Sequence, residues 1–151
     1  MNEIKIKICW LIPEDERDLN LPNYETTGAA GMDVEAGIHA AVTLQPGERT
    51  LIPTGFSVAL PQGYELQVRP RSGLAINYGV TIINSPGTID SDYRGEVKIA
   101  LINLGHDPYT IHRGDRVAQL VLASVLQTTF TQVSILDKTE RDSGGFGHTG
   151  V

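Results

Sequence analysis

The sequence predicts an all-β fold, a jelly-roll or distorted β-barrel that carries one short helix. Three observations predict it. Eight short apolar or alternating runs recur along the chain, at residues 4–8, 49–52, 56–60, 65–69, 80–83, 96–104, 116–126 and 130–135. Turn-forming residues separate them: Pro46-Gly47, Pro61 with Gly63, Pro86-Gly87 and Arg113-Gly114-Asp115. One segment alone has a helical start and stop. Many short strands joined by turns close into a jelly-roll or barrel.

In the first run Ile4, Ile6 and Ile8 alternate with Lys5 and Lys7, the period of a half-buried strand. Cys9 follows it and is expected to be a small buried apolar residue. The runs 49–52 and 56–60 read as two strands, and 65–69 as a third. Ser72-Gly73-Leu74-Ala75-Ile76-Asn77-Tyr78-Gly79 then spells a helix of about two turns, with Ser72 as its N-cap and Gly79 as its C-cap. Beyond the strand at 80–83, residues 87–95 read as a hairpin between apolar strands. The runs 96–104 and 116–126 are longer strands, and 130–135 is the last. Residues 143–150 hold too little apolar surface to order themselves, yet Phe146 sits among glycines with no core to hold it. The expected organisation is one jelly-roll domain over 1–140 and a flexible glycine-rich tail over 141–151, which orders when something binds.

At 151 residues and 40% apolar content the chain can bury one sizeable core. A net charge of −6 with no run of Lys or Arg disfavours a nucleic-acid polymer as partner. A small anion remains compatible, because two or three convergent arginines suffice to hold one. The single cysteine forbids an internal disulfide and suits a reducing compartment. The apolar stretch 8–12 ends at Pro13, too short for a signal segment or a membrane span. The expectation is a cytoplasmic protein with no membrane partner. His39, His106, His112 and His148 lack the spacings that assemble a zinc site.

Two stretches carry chemistry. Pro70-Arg71-Ser72-Gly73 sets a guanidinium, a hydroxyl and a bare backbone at the start of the helix, where unpaired N–H groups favour an anion such as phosphate. Gly87-Thr88-Ile89-Asp90-Ser91-Asp92-Tyr93-Arg94-Gly95 places acidic residues and an aromatic between flanking glycines. There an Asp can be held rigidly beside a reacting atom. Turn formation accounts for Asp and Gly in such a loop, but not for Thr88, Ile89 and Tyr93.

These residues resemble the trimeric dUTPase family in five motifs that occur in order. They are Ala30-Gly31-Met32-Asp33-Val34, Pro70-Arg71-Ser72-Gly73-Leu74-Ala75, residues 84–95, Gly114-Asp115-Arg116-Val117-Ala118-Gln119, and residues 141–150. The resemblance implies a jelly-roll homotrimer with three active sites at subunit interfaces. One subunit would supply the first, second and fourth motifs, another the third, and the remaining one the tail. It implies hydrolysis of dUTP to dUMP and diphosphate, with Mg2+ as cofactor. Such an activity limits uracil entry into DNA and supplies dUMP for thymidylate synthesis.

Residue by residue, Asp90 matches the family's general base, which activates water for attack on the α-phosphorus. Arg71, Ser72 and Gly73 match phosphate contacts, and Gln119 a polar contact near the phosphates and the water. Asp33 matches an acidic residue that reaches magnesium through water, in keeping with that ion's reluctance to dehydrate. Asn84, Gly87, Thr88 and Ile89 match the element that recognises uracil. Tyr93 matches the ring beneath the deoxyribose, and Lys98 borders the nucleotide. Phe146 matches the ring that stacks on uracil, while Arg141, Gly147, His148 and Thr149 match groups that close over the phosphates.

The chain departs from the family pattern at Ile76-Asn77-Tyr78, where relatives often have Lys and His, at His148, where many have Ser, and at Asp142, which replaces a common Gly. Two other readings make different predictions. A dCTP deaminase of the same superfamily would release ammonia from dCTP, and a jelly-roll binding module would hold dUTP without releasing diphosphate.

Overall fold

The computed structural model describes residues 3–150. Ten strands and one α-helix follow one another as β1 (Lys7–Trp10), β2 (Met32–Glu35), β3 (Val42–Leu44), β4 (Arg49–Ala59), β5 (Tyr64–Arg69), α1 (Ser72–Tyr78), β6 (Val80–Ile82), β7 (Gly87–Ile89), β8 (Glu96–Asn103), β9 (Tyr109–Ile111) and β10 (Arg116–Ser124). A single 3-10 turn, Glu14–Glu16, lies between β1 and β2. The strands form two four-stranded antiparallel sheets, ordered β1-β4-β8-β6 and β2-β10-β5-β7, and a small β3-β9 pair. The all-β jelly-roll with one short helix is therefore as the sequence predicts.

Period-two alternation builds the core. On β8, Val97, Ile99 and Leu101 are buried while Lys98 faces outward. Leu66 and Val68 of β5, Leu120 of β10 and Val34 of β2 join the same apolar cluster from the other sheet, together with Ile52 and Phe56 of β4. Asn103, fully buried, donates from Nδ2 to the carbonyls of Leu44 (3.0 Å) and Asp107 (2.8 Å) and accepts from the Gly105 N–H at Oδ1 (2.9 Å). Among the described residues no buried side-chain nitrogen or oxygen lacks a partner, as a well-formed core requires. At the surface, Arg113 donates to both oxygens of Asp18. That contact holds the Asp18 carboxyl below its ordinary value and ties the 14–18 segment to the turn before β10.

Several expectations are corrected. The runs 49–52 and 56–60 belong to one strand, β4, whose pairing to β8 shifts register between Pro53 and Ser57. Pro53 lacks an N–H for the ladder and is accommodated at that irregularity. Cys9 is exposed, because it shares the outward parity of Lys5 and Lys7 while Ile4, Ile6 and Ile8 turn inward. Ser72 opens the helix but does not cap it: Arg71 is the N-cap, and no side chain bonds the first turn. Gly79 ends the helix as expected, at φ 71° with its N–H bonded to the Ala75 carbonyl.

Residues 87–95 are not a hairpin. β7 pairs with β5 in one sheet and β8 with β4 and β6 in the other, so the segment between them crosses from sheet to sheet. Residues 130–135 form no strand, and Phe130 and Ile135 stand in solvent. A strand needs a ladder partner, and among the described residues none pairs with this segment. The short strands β2, β3, β7 and β9 have three or four residues each, too few for alternation to announce them.

Candidate active site

The candidate residues fall into three groups. The first gathers where β2, β10 and β5 lie side by side. Gln119 on β10 stands opposite Asp33 on one flank and Arg69 on the other. Two residues beyond Arg69 the chain enters α1 through Arg71. The Asp33 carboxylate lies between two guanidiniums, with Arg71 Nε at 3.3 Å from Oδ1 and Arg116 Nη1 at 3.1 Å from Oδ2. Arg71 also donates to the Arg116 carbonyl at 3.0 Å, and Gln119 Nε2 donates to the Pro70 carbonyl at 3.0 Å. A side chain at position 31 would collide with the Gln119 amide, which accounts for glycine in the Ala30-Gly31-Met32-Asp33 motif.

Arg116 Nη1 also lies 3.5 Å from Glu25 Oε1, so two guanidiniums face two carboxylates, and the contacts hold both arginines where an anion with several oxygens can engage them. Ser72 and Gly73 stand directly beside it, in the first turn, ahead of the first helical bond from Ala75 to Arg71. Their N–H groups precede any intrahelical partner. Arg116 was absent from the candidate residues read from the sequence. Its only sequence signal is its place in Gly114-Asp115-Arg116, and the second contact to Asp33 is visible only once β10 and β2 are paired.

The second group surrounds Asp90. β7 ends at Ile89, which is buried and pairs with Leu66. Asp90 then opens a turn closed by the Tyr93 N–H on the Asp90 carbonyl at 3.2 Å. Among the described residues the Asp90 carboxylate takes part in no ion pair and accepts no hydrogen bond. It lines a cleft with Tyr64, Glu65 and Arg94. Tyr93 donates its hydroxyl to the Glu96 carbonyl at 3.0 Å, and its ring lies so close to Gly95 that any side chain there would collide. Upstream, the Asn84 amide is next to buried Gly87, and Thr88 stands exposed opposite Gln67. Lys98 lies across the sheet boundary on β8, half exposed, with Nζ 4.0 Å from Glu96.

These two groups are not adjacent in one chain. Ile89 is level with Leu66, so Asp90 lies off the Glu65 end of β5 while Arg71 lies past the opposite end. Six residues of extended chain separate the two levels, roughly 20 Å at about 3.3 Å per residue. The third group is the tail. Arg141 bonds the Gly144 carbonyl at 2.8 Å, and single turns close at Gly144, His148 and Gly150. Among the described residues every hydrogen bond of residues 126–150 stays inside that segment. Phe146 is fully exposed, and Gly147, His148 and Thr149 touch neither of the other groups by a hydrogen bond.

For magnesium, the described residues hold no cluster of three or more His, Cys, Asp or Glu that could cage an ion. A single carboxylate already oriented by two arginines fits an ion that arrives on a polyphosphate with much of its hydration shell.

The dUTPase family model matches residues 17–150. Over 149 residues the chain is 61% identical to the deoxyuridine 5'-triphosphate nucleotidohydrolase of Desulfotalea psychrophila, with 99% of each chain covered. It is 51% identical over 150 residues to the enzyme of the same name from Fusobacterium nucleatum, again with 99% of each covered. Its fold is similar to that of a Staphylococcus bacteriophage 80alpha dUTPase mutant solved with dUpNHpp, at a TM-score of 0.81 and 25% identity over 97% of this chain and 99% of that one. With the motif residues carried on a jelly-roll, a family model spanning most of its length and relatives matched end to end, this chain belongs to the dUTPase family.

Proposed function

We propose that the protein hydrolyses dUTP to dUMP and diphosphate at sites shared between the three subunits of a homotrimer. The observation that carries this reading is the pairing of an unpartnered carboxylate, Asp90, with an arginine cluster around Asp33 that lies roughly 20 Å away on the same chain. A base and a phosphate cradle so separated become one site only if they come from different copies. The outward apolar side chains Phe130, Ile135 and Leu136 of the segment before the tail support assembly as well, since such exposure in series marks a surface meant to be covered. A hollow lined by Ile4, Ile6, Leu21, Met32 and Leu122 on the body offers a complementary surface.

In this site Arg71, the first turn at Ser72 and Gly73, and Gln119 hold the triphosphate and fix the α-phosphorus. Asp90 orients a water for attack and takes its proton as the new P–O bond forms. The bond from the α-phosphorus to the bridging oxygen breaks, and diphosphate leaves with the bond's electron pair. Positioning and charge stabilisation supply most of the acceleration in such a transfer. Magnesium bound to the triphosphate would neutralise charge on the departing oxygens, with Asp33 reaching it through water.

The Asn84 amide and the backbone of 84–89 recognise uracil, so that cytosine leaves polar groups unpaired and thymine's methyl group finds no room. Tyr93 packs against the deoxyribose where a 2′-hydroxyl would collide, and Lys98 borders the nucleotide. Phe146 stacks on the base while Arg141, Gly147, His148 and Thr149 close over the phosphates and exclude water. The product dUMP then serves thymidylate synthesis, and the removal of dUTP keeps uracil out of DNA. Among the described residues no helix is long and apolar enough to cross a membrane, and a cytoplasmic location suits a nucleotide substrate.

Diphosphate release from dUTP, dCTP, dTTP and UTP in the presence of magnesium tests this reading. Release is expected from dUTP alone. Ammonia from dCTP would favour the deaminase, and tight dUTP binding without release would favour the binding module.

A further inference from the structure

The turn that carries Asp90 lies in the crossover between the sheets, where no ladder can hold it. Residues 90–95 follow the last pair of β7 and precede the first pair of β8. The carbonyls of that turn therefore have no strand partner, and the aim of the Asp90 carboxylate, which has no side-chain partner among the described residues, is inherited from the backbone. One side chain reaches back to supply the missing bonds. Arg94 Nη1 donates to the Ser91 carbonyl at 2.7 Å and to the Tyr93 carbonyl at 2.9 Å.

We infer that Arg94 is a positioning residue for the reaction: it clamps the turn 90–93 so that the Asp90 carboxylate is held at one angle to the attacking water. The inference rests on Asp90 as the general base. Three tethers share the task. The Tyr93 N–H closes the turn on the Asp90 carbonyl, the Tyr93 hydroxyl anchors it to the Glu96 carbonyl, and Arg94 Nη1 ties its far side. Tyr93 is also a nucleotide contact, but Arg94 uses its bonds inside the turn.

A guanidinium two residues from Asp92 and four from Asp90 could have neutralised either carboxylate. Among the described residues it forms an ion pair with neither. That arrangement supplies a cation-strength hydrogen-bond donor to two carbonyls while leaving the lone pairs of Asp90 free to accept a proton. A misplacement of about 1 Å is enough to cost on the order of a hundredfold in rate, so loosening this turn acts on turnover before it acts on stability.

The test compares Arg94→Ala and Arg94→Lys in the full-length trimer, and adds Arg94→Ala to Asp90→Asn. Arg94→Ala is expected to lower kcat for dUTP by about tenfold to a hundredfold, with KM changed by less than about threefold and the thermal midpoint almost unmoved. Arg94→Lys, whose ammonium can also donate to two carbonyls, is expected to recover most of the loss. Under single-turnover conditions the double variant is expected to be no slower than Asp90→Asn alone, because the clamp acts only through the base. Three outcomes would overturn the inference: an unchanged kcat in Arg94→Ala, a loss carried by KM, or a full multiplicative loss in the double variant, which would mean direct contact with substrate. A native rate in Asp90→Asn would instead remove the general base itself, and this inference with it.

Discussion

Asp90→Asn is expected to lower kcat for dUTP by about three orders of magnitude, within the range of 10²–10⁴ that a positioned general base contributes. The fall corresponds to about 4 kcal/mol in the activation barrier. Asparagine keeps the size of the side chain and can still point a hydrogen bond at water, but it cannot take the proton. The Asp90 carboxylate is exposed and takes part in no ion pair among the described residues, so its replacement is expected to leave the fold intact. Binding of the analogue dUpNHpp is therefore expected to stay within a few-fold of native, which separates a lost chemical step from a lost site. A kcat within tenfold of native would show that another group activates the water.

Truncation after Glu140 is expected to cost about 10²–10³-fold in kcat, because ordering a closing segment both completes the phosphate contacts and excludes water. The deletion removes Arg141, Phe146, Gly147, His148 and Thr149 together. Among the described residues the hydrogen bonds of 126–150 are internal to that segment and Phe146 is fully exposed, so the deletion takes no hydrogen bond from the body of its own chain. The shortened protein should melt at the same temperature and keep its oligomeric state, with 126–140 still present. An unaltered kcat would sink the closure. A simultaneous loss of assembly would show that the tail holds subunits together instead.

How far such a protein can be read from sequence depends on the physical range of each signal. Alternation located β5 and β8 and pointed to β1, whose ladder begins at Lys7, because a sheet with one face buried imposes it directly, while β10 announced itself as a continuous apolar run. The same parity placed Cys9 with the lysines, and attention to it in place of the residue's usual preference would have put the thiol outside. Strands as short as Met32–Glu35 and Tyr109–Ile111 carry no period, and they exist because β10 and β3 offer them a ladder. The run 130–135 shows the converse. Its residues suit a strand, but strand formation is a relation between two segments, and among the described residues no segment pairs with it.

The candidate site divides along the same line. The 87–95 stretch was legible as chemistry because Thr88, Ile89 and Tyr93 are poor choices for a plain turn, and Pro70-Arg71-Ser72-Gly73 because it sets a guanidinium and unpaired N–H groups at a helix start. The second arginine on Asp33, the Gln119 bond to Pro70 and the Arg94 clamp were not, since each depends on which strands lie side by side or on where a carbonyl is left without a partner. The opposite placement of Asp90 and Arg71 along β5 is also invisible before pairing is known, and it is this placement that turns five dispersed motifs into an argument for assembly.

The most direct test mixes two inactive proteins. Asp90→Asn subunits retain the Asp33, Arg71 and Gln119 cluster, and Arg71→Ala subunits retain the base. If each site draws these groups from different copies, equal amounts unfolded and refolded together should recover about a quarter of the native diphosphate release from dUTP, the fraction of sites in randomly mixed trimers that receive both intact groups. Release no greater than the average of the two variants refolded separately would contradict the shared site and return base and phosphate cradle to a single chain.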